Sequence, residues 1–186
     1  MYSGGASANG GKLAMKEWIL TNIGEGSKIL DLGAGQGNWA HLLEDGEYII
    51  HAVEIYEGVT PQIINDYHTV YCMNLLDFDF RYNYDLVIMG DVLEHLSVAD
   101  AQYAIQKALR HTKWLLVAVP FEYEQGMIAD NPAEEHLQPD LTFDVIEQRY
   151  PRLQLKYYIE EDGGKFNPDG SQGLLKYAYY IAKGDI

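Results

Sequence analysis

Five apolar runs recur along the chain, at residues 28–32, 48–53, 69–73, 85–89 and 114–119, several of them continuous in Val, Ile and Leu. Such runs predict strands buried on both faces of a sheet. Between them the apolar spacing changes to the helical period and predicts helices over 38–44, 60–67 and 98–110. The last is amphipathic through Ala101, Ala104, Ile105, Ala108 and Leu109. A further helix is expected from Leu13, through Trp18, Ile19, Leu20 and Ile23, to a C-cap at Gly24. The stretch LLDFDFRYN, residues 75–83, follows neither period and is expected as a loop or a single turn. Strands alternating with helices predict right-handed crossovers over a parallel sheet, so the fold class is α/β, open and doubly wound.

After residue 119 the pattern changes. A Pro-punctuated stretch covers 120–139, a helix is predicted over 141–150, and two β-rich runs follow, LQLKYYIEE and LLKYAYYIA. Turn residues in DGGKFNPDGSQG join them, so they read as an antiparallel hairpin closing one edge of what becomes a seven-stranded, mostly parallel sheet. Residues 1–11, rich in Gly, Ser, Ala and Asn, read as a flexible leader, and 12–186 as a single domain.

Hydrophobic residues make up 47% of the 186 and charged residues 22%, which excludes a wholly disordered chain. No apolar run reaches the roughly 18 to 20 residues of a membrane span, and the N-terminus lacks the pattern of a secretory signal, so a soluble, cytoplasmic protein with no membrane partner is expected. The single cysteine, Cys72, cannot form an internal disulfide and reads as a small core residue. The net charge of −15 counts against nucleic acid as a partner, because affinity for its backbone comes from Lys and Arg. The modest basic cluster KALRHTK, 107–113, reads as a solvated helix C-terminus.

Three glycines, Gly33, Gly35 and Gly37, stand where the first strand must turn into a helix. Residues without side chains let backbone amides approach a ligand that a Cβ would exclude, in the crevice beyond the strand ends. About twenty positions on, Glu54 closes the second strand and is placed to accept hydrogen bonds from ribose hydroxyls, whose loss would cost roughly 1 to 3 kcal/mol. Asn38 stands where a dinucleotide loop requires its third glycine, and no Gly-Lys-Ser or Gly-Lys-Thr of a P-loop occurs. Asp31 gives the loop an anionic flank that repels a pyrophosphate and suits a ligand carrying an ammonium and a sulfonium.

The segment ILDLGAGQGNWA, Glu54, YDLVIMGDVLEHL and WLLVAVP resemble, in order and spacing, the stations of class I S-adenosylmethionine-dependent methyltransferases. The resemblance covers residues 27–120 and implies their Rossmann-like fold, S-adenosyl-L-methionine as cofactor and S-adenosyl-L-homocysteine as product. It implies that Asp31, Gly33, Ala34 and Gly35 surround the methionine portion, Glu54 and Ile55 the ribose and adenine, and Asn74 and Leu75 the adenine edge; Gly37 is a cofactor-binding candidate that reads equally as a tight turn into the helix. Gly90, Asp91 and Val92 would border the sulfonium. Asn74 replaces the acid usual at its station, though its amide can still hydrogen-bond to adenine.

Methyl transfer from a sulfonium needs positioning above all, with a general base only where the acceptor must lose a proton. The candidates are Asp91, Glu94 and His95 in DVLEHL and, in the long loop, Glu122, Glu134, Glu135 and His136, with His136 singled out because its stretch, VPFEYEQG to NPAEEH, is similar to one in bacterial methyltransferases associated with glycans. The D-x-x-E-H arrangement also resembles that of certain small-molecule O-methyltransferases in which acids and a histidine hold a divalent cation. A histidine at such a turn is more often hydrogen-bonded scaffold, and no metal is expected. The acceptor is expected to be a small molecule or sugar-like, attacked at oxygen. The alternatives are a non-catalytic binding module and methylation of a nucleic acid or protein.

Overall fold

A computed structural model describes residues 9–56, 61–127, 131–166 and 172–186. Its strands are β1 (Lys28–Leu32), β2 (Ile49–Glu54), β3 (Thr69–Cys72), β4 (Tyr84–Gly90), β5 (Thr112–Phe121), β6 (Gln154–Phe166) and β7 (Gln172–Lys183). They form one sheet in the order β3-β2-β1-β4-β5-β7-β6. β1 to β5 pair in parallel, and β7 runs antiparallel to both β5 and β6. The chain therefore builds outward from β1 to β3 and then returns to place β4 on the other side of β1. That reversal opens a crevice beyond the strand C-termini.

Alternate residues of each inner strand enter opposite layers, as the two-residue period of a strand requires. Leu30, Leu32, Val87, Met89, Leu115 and Val117 pack with α4 (Val98–Leu109) and α5 (Phe143–Arg149). On the other face Ile29, Leu86, Ile88, Leu116 and Ala118 pack with α1 (Asn9–Asn22) and α2 (Asn38–Leu42). Both faces of the inner strands are thus covered, which accounts for their continuous apolar runs. A short helix, α3 (Pro61–Asp66), links β2 to β3.

Several elements differ from the sequence reading. α1 takes in Asn9 to Gly11, placed above in the leader, and ends before Gly24. β5 continues through Pro120, expected to open a loop. The proline is tolerated because it lies past the last β4 pair, Gly90 with Ala118, and borders only Tyr177 of β7. Residues 75–83 form a turn and loop, as expected, and this segment folds Phe78 and Phe80 into the core. Cys72 is exposed rather than a core residue, because it ends the edge strand β3. Residues 1–8, Thr60 and the hairpin turn around Asn167 lie outside the described residues. Among the described residues no helix is long and apolar enough to cross a membrane.

One buried side chain fixes the segment after β5 against the ends of the sheet. Gln138 is 2% exposed, and its amide donates to the carbonyls of Leu93 (2.9 Å) and Leu96 (3.1 Å). Its own carbonyl accepts from the Tyr150 hydroxyl at 2.7 Å and the Arg149 guanidinium at 3.1 Å. The backbone amides of Leu137 and Gln138 donate to the Glu94 carbonyl at 2.8 and 3.0 Å. Removing the amide in Gln138→Ala strands several of these buried groups and should cost about 2 to 4 kcal/mol. A urea midpoint lowered at unchanged m-value checks this.

Candidate functional site

The crevice is a cavity of about 830 Å³, within the range that encloses a nucleoside-sized ligand together with a small second molecule. Its first wall is the bend after β1. The amides of Gly33 and Ala34 donate to the Val53 carbonyl at 2.7 and 3.2 Å, tying the bend to β2. Gly35 has φ +52°, and a Cβ there would meet nothing within 4 Å, so the missing side chain leaves open space. Glu54 holds this geometry: one carboxylate oxygen accepts from the Gly35 amide at 2.7 Å and the other from the Tyr56 amide at 2.9 Å. Each oxygen keeps a further lone pair for a ligand.

Asp31 lies under the bend, wholly buried. One oxygen accepts from the Tyr67 hydroxyl at 2.6 Å and the other has no partner. Burial raises its pKa to about 7 against the opposing Tyr67 hydrogen bond and Lys12 charge, and burial, together with the neighbouring Asp31 charge, pushes the Tyr67 hydroxyl up. Lys12, 6% exposed, stands 3.9 Å from Asp91 and 5.8 Å from the Trp39 ring centroid. The indole N–H of Trp39, also buried, has no partner, and a Cβ on Gly90 would come within 2.2 Å of it.

The opposite wall begins where β4 ends. Asp91 adopts φ +58°, sparsely populated outside glycine, and turns the chain into a 3-10 turn, Leu93–His95. That turn buries Glu94 to 1% exposure with one carboxylate oxygen unpartnered. Burial raises the pKa of both Asp91 and Glu94, and the two charges repel each other. The segment held by Gln138 brings His136 against His95, with ring centroids 4.7 Å apart at 76°. His95 Nδ1 lies 3.2 Å from the Glu135 carbonyl and His136 Nδ1 lies 2.7 Å from the Tyr123 carbonyl. A carbonyl only accepts, so each Nδ1 carries the proton and each Nε2 the lone pair. Burial lowers both histidines, His136 to about 4, which keeps the rings neutral near pH 7.

The residues singled out in the sequence meet here in unequal ways. Gly33, Ala34, Gly35, Glu54 and Ile55 line the cavity from the β1 and β2 side, and Asn74 and Leu75 from the end of β3. Gly90, Asp91, Val92, His95 and His136 line the opposite side. Asp31 and Gly37 are not among the lining residues. Asp31 lies beneath the bend, and Gly37, with φ +78°, opens α2. Asn74 also closes a local turn, its side-chain oxygen accepting from the Leu76 amide at 2.9 Å. Lys12, Trp39 and Gln36 line the cavity without having been read from the sequence. Gln36, between Gly35 and Gly37, and Trp39, two positions after Gly37, both lie within the motif that signalled the site; Lys12 comes from a helix distant in the chain and carried no signal.

The chain belongs to the methyltransferase-domain family, which it matches over residues 12–162. No curated protein sequence matches it at a significant level. Among solved structures its fold resembles TehB from Haemophilus influenzae, at 17% identity and a TM-score of 0.66. The match covers 98% of this chain but only 64% of TehB, so the chain spans less than two thirds of that protein. An S-adenosylmethionine-dependent methyltransferase from Clostridium acetobutylicum aligns at 12% identity and a TM-score of 0.67, over 96% of this chain and 93% of its own. The 1,6-didemethyltoxoflavin-N1-methyltransferase of Burkholderia thailandensis, with 1,6-didemethyltoxoflavin and S-adenosylhomocysteine bound, aligns at 15% identity and a TM-score of 0.64 over 95% and 79%. The seven-stranded sheet, mostly parallel with its antiparallel C-terminal pair, is the Rossmann-like architecture these methyltransferases share.

The raised pKa of Asp31 has a stability consequence. A carboxyl whose folded pKa lies above its unfolded value near 3.9 stabilises the fold at low pH, and that contribution is lost as pH rises through the folded value. Relative to Asp31→Asn, the unliganded wild type should therefore gain roughly 2 to 3 kcal/mol between pH 8 and pH 5. Urea unfolding of both proteins at the two pH values measures the difference, and the subtraction removes the opposing titration of the histidines.

Proposed function

We propose that this methyltransferase domain binds S-adenosyl-L-methionine in the crevice and passes its methyl group to a small, polar acceptor at oxygen, leaving S-adenosyl-L-homocysteine. The reading rests on one observation above all: the open space at Gly35, framed by Glu54, above a buried Asp31 carboxylate with one oxygen that accepts no hydrogen bond. An ammonium and a sulfonium satisfy that charge, and hydroxyls of a ribose suit the remaining lone pairs of Glu54. Asn74 and Leu75 would meet the adenine, with the Asn74 NH₂ group the part not used in its local turn.

The acceptor would enter on the other side, where Ser97, Asp100, Gln125, Asn131, Glu134 and His136 line the cavity. Such a polar wall suits a hydroxyl-bearing, sugar-like molecule, and the chain's net charge of −15 disfavours nucleic acid. In the transfer the methyl carbon leaves sulfur, which keeps the bonding electron pair, and bonds to the acceptor oxygen. The hydroxyl proton is then lost, and the oxygen becomes strongly acidic as the new bond forms, so even a weak base suffices. His136, neutral with its Nε2 lone pair free, is our candidate for that base, with His95 and Asp91 beside it.

Calorimetry with S-adenosylmethionine and S-adenosylhomocysteine tests the cofactor site. Both should bind the wild type and neither should bind Gly35→Val, whose side chain fills the open space. Absence of heat with both ligands in the wild type would remove the reading. His136→Ala should leave S-adenosylhomocysteine affinity intact and lower turnover by about 100-fold on an accepted substrate. Equal turnover would end its candidacy.

A further inference from the structure

Glu94, His95 and His136 each offer a donor atom, and the three atoms lie within 4.8 Å of one another. We propose that these residues bind one divalent transition-metal ion on the acceptor side of the crevice, against the sequence expectation that the protein takes no metal. Three independent features of the cluster support this.

The first is the carboxylate. Glu94 is almost completely enclosed, yet one of its oxygens has no hydrogen-bond partner. Buried charges in proteins are paired or bound to a cation, because an isolated one is costly. The Asp91 carboxylate nearby adds negative charge, and the closest Lys12 ammonium is 3.9 Å from Asp91.

The second is the pair of rings. In metal sites a ligating histidine ordinarily gives its second ring N–H to a backbone carbonyl or a carboxylate, which fixes the tautomer and the ring plane. Both rings do this here, His95 to the Glu135 carbonyl and His136 to the Tyr123 carbonyl, so both present Nε2 as a lone-pair donor. Two such rings 4.7 Å apart, with lone pairs and no shared proton required by their surroundings, form half of a coordination sphere.

The third is the support. His136 stands 41 positions beyond His95 in the chain, and its place depends on the Gln138 clamp and on its amide bond to the Gln125 carbonyl at 2.9 Å. Gln138 therefore serves as a positioning residue for the proposed ligand.

Two imidazoles and one carboxylate leave coordination positions open. That donor set favours zinc, cobalt, iron(II) or manganese over magnesium or calcium, which prefer oxygen ligands throughout. All three residues line the same cavity as the glycine bend. With the ion bound, Nε2 of His136 is committed to it and no longer serves as the base; the metal would instead hold the acceptor's hydroxyl and lower its pKa as it does for bound water, and the proton would pass to solvent before the oxygen attacks the methyl carbon. This last role rests on the methyl-transfer reading; binding of the metal does not.

The test uses tag-free full-length protein stripped with a chelator, with no methyl donor present. Titration with Co²⁺, Zn²⁺, Mn²⁺ and Mg²⁺ by calorimetry, with the visible absorption of Co²⁺ as a second readout, should show one equivalent of the first three and markedly weaker Mg²⁺. Glu94→Gln and His136→Ala should each weaken Co²⁺ binding more than about 100-fold, and Gln138→Ala by about 10- to 100-fold. Circular dichroism melts of each variant without metal establish that it is folded, and His95→Ala serves if either of the others is not. No Co²⁺ binding by the wild type, or equal binding by the folded variants, overturns the proposal. Because the titration contains no donor, its failure is distinguishable from failure of S-adenosylmethionine to bind.

Discussion

Two carboxylates, Asp31 and Glu94, are held out of water at the C-terminal edge of the sheet, each with an oxygen that has no partner. Burial of an unpaired carboxylate is among the most costly arrangements a fold can contain. Proteins relieve it by protonation or by admitting a cation, and burial raises the pKa of both acids in the direction of the first. The crevice is therefore not electrically neutral ground. It favours positive charge at two places on opposite walls, and the rest of the site follows from keeping those two acids in position.

The sheet supplies that position. β1 carries Asp31 between β2 and β4, which brace it on both sides, and the bend that follows is tied back to β2 through Val53 and Glu54. On the proposed function Glu54 has a double part, because the carboxylate that shapes the glycine bend is the one that would meet a ligand's hydroxyls. Loop geometry and ligand affinity would then be coupled in a single side chain. On the other wall the same logic is spread over more of the chain: the turn after β4 supplies Glu94 and His95, and the segment after β5 supplies His136.

The alternation of strand and helix was legible because each inner strand is buried on both faces, so it reads as a continuous apolar run. The glycine bend and Glu54 were legible because they occupy consecutive stations of one supersecondary unit. What escaped were contacts between distant segments. Nothing near Lys12 in the chain announces that α1 delivers it to Asp91. The pairing of His136 with His95 depends on Gln138, an ordinary residue whose four hydrogen bonds are visible only in three dimensions. Pro120 misled in the opposite direction: a residue that ordinarily interrupts a strand is accommodated because β4 stops short beside it. Cys72 read as apolar filling, whereas its place depends on β3 being the outermost strand.

That outermost strand has a practical corollary. The chain contains a single thiol, and it is exposed at the tip of β3, two residues before Asn74 and next to Met73 on the rim of the crevice. A maleimide dye coupled to native protein would therefore sit at one defined spot beside the entrance, with no engineered cysteine and no competing attachment point. Its emission would report occupancy of the crevice in real time, turning a residue without a chemical part in the site into a built-in handle for watching it fill.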